Sequence, residues 1–172
     1  MHFPKTTALL GIATAGAVAL APAAGATPAP GSLNPVKVTG AYLFVNTLYR
    51  THERHATLVF RTDRPLSRRA DGRIEADAGI AHRGGPRLRV RSSHPTGSAS
   101  GAHCYQTGAL IRKDNTIEGQ ANGRTTTTRA VVGSRLPVEI FIRTDDGFQR
   151  FKRTLTLRRF SPAYASGSAL GC

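Results

Sequence analysis

The sequence has no tryptophan, one methionine, two cysteines and only ten acidic residues in 172. Aromatic residues make up 6% of the chain, too few for a platform that stacks successive bases or sugar rings. Charged residues at 20% are too sparse for a disordered polyelectrolyte, while 40% hydrophobic residues suffice for a packed core. No apolar run reaches the ~20 residues of a membrane-spanning helix, so the chain is read as having no membrane span. There is no Gly-x-Ser-x-Gly elbow, no phosphate-cradling glycine loop and no His-Glu-x-x-His pair. These absences remove the enzyme classes that a local motif reveals. They leave triads assembled from distant residues, which are recognised by geometry.

The scarcity of acid is matched by a surplus of base. Lys and Arg number 24, the net charge is +14, and only Lys5, Lys37, Lys113 and Lys152 are lysines. Arginine offers a planar fork of donors suited to phosphate and carboxylate, where lysine is a hydrated point charge. A chain rich in Ala, Gly, Arg and Pro also fits a GC-rich bacterial genome, which would account for the Arg-to-Lys ratio but not for the net charge.

Residues 1–26 read as a secretory signal: Lys5 in a short polar start, an apolar run over 8–21, and Ala24-Gly25-Ala26 as a small-residue cleavage site. Mature protein would begin at Thr27, with 26 residues and one cation fewer, leaving +13 on 146 residues. Export implies an oxidising compartment, in which two cysteines pair more readily than they bind metal, so a Cys104 to Cys172 disulfide is expected. That bond would tie down the tail, 161–172, which has little else to pack. An intermolecular bridge and a reactive Cys104 beside His103 are the alternatives. Residues 27–35, with three prolines, form an extended lead-in.

Between 36 and 160 the pattern is of short β-branched runs punctuated by Gly, Pro, Asn and Asp, an all-β signature. Strands are predicted near 36–48, 56–62, 73–81, 87–91, 103–111, 116–121, 125–132, 137–144 and 149–157. Such a set suits one antiparallel β-sandwich of the immunoglobulin-like kind, with about eight short strands, or alternatively a small β-barrel. Residues 92–101 read as the most obvious flexible loop.

The last hairpin carries register information. With Asp146-Gly147 central in a type I′ turn, Ile142 faces Phe151, Val138 faces Leu155 and Leu136 faces Leu157, all on one face. A three-residue loop would set Ile142 against Arg150 and is rejected by the pattern, whereas a four-residue loop keeps the faces. This register leaves Arg153 as a cation on the inner face opposite Ile140, at the sheet margin or paired with a carboxylate. It also sets Arg143 opposite Arg150, a repulsive pair unless an anion lies over it.

Two segments concentrate the charge. Residues 50–91 carry 11 arginines against five acids, and 143–159 carry six cations against Asp145 and Asp146. Strand alternation puts Arg87, Arg89 and Arg91 on one face with Leu88 and Val90 on the other. The candidate anion-binding residues are Arg87, Arg89, Arg91, Arg150, Lys152 and Arg158. No catalytic residue, metal ligand or cofactor is assigned. His52 and His55 lie at i, i+3 with no evident third ligand, and a turn between strands is the simpler role.

The first functional expectation is a secreted binding or structural module, held noncovalently on an anionic envelope polymer or acidic protein surface, with nucleic acid as a non-specific possibility. The second is a small secreted hydrolase using one of His52, His55, His94 or His103. The third is a secreted inhibitor or antimicrobial effector presenting the 92–101 loop. Oligomeric state is not readable from the sequence.

Overall fold

A computed structural model describes residues 35–92, 103–144 and 147–172. Residues 1–34, on which the expected signal peptide and most of the expected lead-in fall, residues 93–102 with His94, and Asp145 and Asp146 lie outside the described residues. The all-β expectation holds. Ten strands are present among the described residues: β1 (Val38–Thr47), β2 (Arg54–Thr62), β3 (Ala76–Ile80), β4 (Arg87–Arg89), β5 (Arg91–Ser92), β6 (His103–Ile111), β7 (Thr116–Ala121), β8 (Arg124–Arg129), β9 (Arg135–Thr144) and β10 (Gly147–Arg158).

Eight of them form one sheet in the order β4-β3-β9-β10-β1-β2-β6-β5, while β7 and β8 make a separate hairpin. All neighbours in the large sheet are antiparallel except β1 and β10. The first and last strands in that order, β4 and β5, are separated in the chain by Val90 alone. One arginine-bearing segment, bent at Val90, therefore hydrogen-bonds to both edges of the sheet. Val90 is buried and its amide donates to the Ala76 carbonyl at 3.1 Å, while the Thr107 hydroxyl donates to the Arg89 carbonyl at 3.1 Å. The sheet thus curls toward closure, the small-barrel form of the predicted class, since joining its edges satisfies main-chain groups that an open sheet would leave bare.

The interior is filled by alternate residues of each strand: Leu43, Leu58, Phe60, Ala78, Ile80, Tyr105, Leu136, Val138, Ile140, Ile142 and Leu157. Period-two alternation explains these choices, because successive side chains point to opposite faces. In β1 the run Ala41-Tyr42-Leu43-Phe44-Val45 is apolar on both faces, and both are covered. The outer side chains Tyr42 and Phe44, with Val59, pack against Tyr164 and Leu170 of the tail.

That tail consists of a helical turn, α1 (Pro162–Ala165), and a 3-10 turn at Ser168–Leu170. The Tyr42 hydroxyl donates to the Tyr164 carbonyl at 2.7 Å, and Arg61 Nη1 donates to the Leu170 carbonyl at 2.8 Å. The Cys104 to Cys172 disulfide is present, across a sequence separation of 68 with 6.1 Å between Cα atoms. The tail is accordingly more than a tethered end, since its own side chains cover part of the outer face of the sheet.

The β9-β10 register differs from the predicted one by two residues. Ile140 pairs with Phe151, Val138 with Arg153, Phe141 with Arg150 and Arg143 with Phe148. A shift of two leaves every side chain on its predicted face, so the apolar pattern is blind to it. It separates Arg143 from Arg150 and brings Arg150 beside Glu139, which Coulomb's law favours.

Candidate anion-binding surface

Alternation over 87–91 is as predicted: Arg87, Arg89 and Arg91 are exposed, Leu88 is half-buried and Val90 is buried. Because the segment bridges the two sheet edges, Arg89 and Arg91 border more than one cleft. Arg89 and Arg91 line a groove of about 410 Å³ with His55, Gln106 and Asn46. The same two line a second cleft of about 390 Å³ with Arg68, Arg73 and Asp71. Arg89 also borders a shallow cleft of about 90 Å³ with Arg69, Glu75, Asp77 and Arg143, where Phe148 stands 76% exposed.

Asp77 stands opposite Arg89 in the β3-β4 register, and two other carboxylates here are engaged elsewhere. Asp71 pairs with Arg73 at 3.4 Å, and Glu75 lies 3.7 Å from Arg69 and 3.9 Å from Arg143. Among the described residues neither Arg89 nor Arg91 has an ion-pair partner.

Arg150 and Lys152 occupy a different environment. Glu139, on the outer face of β9, is 2% exposed. Arg150 grips it through Nη2 at 2.6 and 2.7 Å and Nε at 3.0 Å, Lys152 Nζ lies 3.5 Å away, and His82 Nε2 lies 3.0 Å from Oε1. Burial pushes the Glu139 carboxyl up, but the Arg150 bond and the nearby His82 and Lys152 outweigh it, so the pKa falls below the ordinary carboxylate value.

Gly79, on the strand between Arg87 and Glu139, leaves open space above the sheet. Across it the Arg87 guanidinium reaches the Phe141 ring at 4.4 Å, and Arg150 lies 5.4 Å from the same ring. His82 is held over Glu139 by an unusual loop in which Ala81 and Arg83 adopt positive φ of 58° and 67°. The β7-β8 hairpin clamps this loop, with Gly119 so close to the Gly84 backbone that no β-carbon fits between them.

The structure thus groups Arg87, Arg150 and Lys152 around Phe141 and Glu139, and groups Arg89 and Arg91 with Arg68 and Arg73. Arg158 belongs to neither set: its Nη1 donates to the Tyr164 hydroxyl at 2.8 Å beside the tail. Sequence reasoning overlooked Glu139 and His82. The signal was a carboxylate lodged between Val138 and Ile140 in a strand otherwise built for burial.

His52 sits in the β1-β2 turn, where its amide donates to the Leu48 carbonyl. His55 lines the groove of about 410 Å³ and has Glu53 at 3.6 Å, and His103 lines a cleft with Arg61 and Asp63. Among the described residues no histidine is hydrogen-bonded to a serine or cysteine side chain, and no group of three metal-ligating side chains converges. No helix among them is long and apolar enough to cross a membrane. No family model, curated protein or solved structure gave a match to this chain.

Proposed function

We propose that the protein is a secreted basic binding module that holds an anionic polymer or an acidic protein surface on the arginine face of the Arg87 to Arg91 segment. The observation that carries this reading is the position of Arg89, which borders three clefts and, like Arg91, forms no ion pair among the described residues, although Asp77 lies opposite it in the β3-β4 register. Unneutralised guanidinium groups in adjoining concavities attract polyanions, and each contact releases counterions. Arg150 and Lys152 contribute less, because Glu139 already neutralises part of their charge. A disulfide and the lack of a membrane-spanning helix among the described residues are compatible with export.

Binding to polyglutamate and to a single-stranded phosphodiester polymer, measured over a salt series, tests the proposal. Affinity should fall linearly with the logarithm of salt concentration. On the phosphodiester, Arg89→Gln and Arg91→Gln should each reduce that slope by about one. Salt-independent binding, or wild-type behaviour of both variants, would overturn it.

A further inference from the structure

The sheet is closed on one side by the bent Arg87 to Arg91 segment, but between β1 and β10 it is open among the described residues. β1 and β10 pair only at Leu43 with Leu157 and Phe44 with Arg158. From Gly147 to Thr156, β10 is paired with β9 on one side and with no strand of the described residues on the other.

Which main-chain groups are left bare follows from alternation. The Arg143 amide donates to Glu75 and the Pro137 carbonyl accepts from His82, so odd-numbered residues of β9 turn their main chain toward β3. Even-numbered β9 residues bond to Gln149, Phe151, Arg153 and Leu155. The amides and carbonyls of Phe148, Arg150, Lys152 and Thr154 consequently face the seam, and of these the Lys152 carbonyl already accepts from Arg153 Nη1.

The side chains beside that edge are equally unfinished. Phe151 and Leu155, on the inner face, are only partly buried, as are Val38 and Ala41 of β1. Between Phe151 and Leu155 stands Arg153, on the same inner face and exposed, its only partner among the described residues the Lys152 carbonyl at 3.1 Å.

We infer that this seam accepts an extended segment of an acidic partner protein, added as a strand along β10, with alternate residues that read apolar, acidic, apolar opposite Phe151, Arg153 and Leu155. Strand addition supplies affinity through main-chain bonds and specificity through alternate side chains. The charge decides the occupant. A second copy bringing its own β10 would meet Arg150, Lys152 and Arg153 with like charge, a standard defence of exposed edges. Residues 1–34 and 93–102 contain no Asp or Glu, so they offer Arg153 no carboxylate. An acidic strand from another protein satisfies the bare amides, the half-buried apolar pair and the exposed cation together.

The test uses the oxidised full-length chain and a synthetic peptide, Thr-Val-Thr-Glu-Thr-Val-Thr with blocked ends. Amide hydrogen exchange at Phe148, Arg150, Lys152 and Thr154 should be fast in the free protein and slow at least about tenfold at saturating peptide. Replacing the peptide's Glu by Lys should weaken binding about fivefold, the size of a cross-strand charge pair, and Arg153→Glu should reverse the preference. Binding that leaves those four amides unprotected, or a charge swap without effect, would overturn the inference. So would protection already complete in the free protein, meaning that the chain fills its own seam, or protection that rises with protein concentration alone, meaning that a second copy does.

Discussion

Replacing Glu139 by glutamine removes one negative charge from beneath Arg150, Lys152 and His82 while nearly preserving volume. Two opposite charges 4 Å apart near a protein surface attract by about 4 kcal/mol at an effective dielectric constant of 20. Removing one partner of a fully buried pair costs about 3–5 kcal/mol. Here only the carboxylate is buried: the Arg150 and Lys152 side chains are 47% and 64% exposed and can swing into water once released. The cost therefore lies nearer the exposed-pair range of up to about 1 kcal/mol than the buried one. We expect about 1.5 kcal/mol for Glu139→Gln, a fall of roughly 5 °C in Tm for a domain of this size.

The sign of the pH dependence is fixed by the direction of the shift. A carboxyl whose pKa is lowered by folding contributes stability that is complete above its unfolded pKa of about 4.3 and is lost as pH falls through the lower folded value. The gap between wild type and variant should accordingly close on acidification. Scanning calorimetry at about pH 7 and pH 3 measures it. Equal melting temperatures at neutral pH, or a gap that persists undiminished in acid, would refute the assignment of Glu139 as the charged anchor of this face.

Other outcomes follow from the same structure. Cys172→Ser opens a loop of 68 residues and should cost about 4 kcal/mol in the chain-entropy account, while reduction of the intact protein should raise its mass by about two daltons. The Tyr42 phenol, pushed up to about 12 by burial and by neighbouring Tyr164, should stay protonated when an ordinary tyrosine has ionised. A pKa raised by folding means the native state binds more protons, so stability falls as pH rises from about 10 toward 12; a titration of phenolate absorbance in which every tyrosine ionises near 10 would contradict it. Gly119→Ala forces a β-carbon into the Gly84 backbone and should destabilise by about 2 kcal/mol, a cost within the range for overpacking; a wild-type melting temperature would show that the hairpin and loop are not clamped.

Some of this was legible in advance. β6 and β7 span the predicted residues, and the faces of β9 and β10 are the predicted ones. Each rests on alternation, a local property that survives whatever partner a strand acquires. The disulfide was legible because only two cysteines exist. Tail packing was legible in principle from the doubly apolar Ala41 to Val45 run, which demands cover on both sides of the sheet.

Alternation does not say which strands are neighbours. The sequence by itself determined the strands, their inner and outer residues, the basic excess and the exposure of Arg87, Arg89 and Arg91. Only the tertiary structure decided that this short segment bends at Val90 to join both sheet edges, that Glu139 neutralises part of Arg150, and that among the described residues β10 has an unpaired edge beside Arg153. A shift of two residues, or a different neighbour, changes none of the side-chain faces that a period-two pattern records. It does change which charges meet, and that is set by pairing between segments remote in the chain.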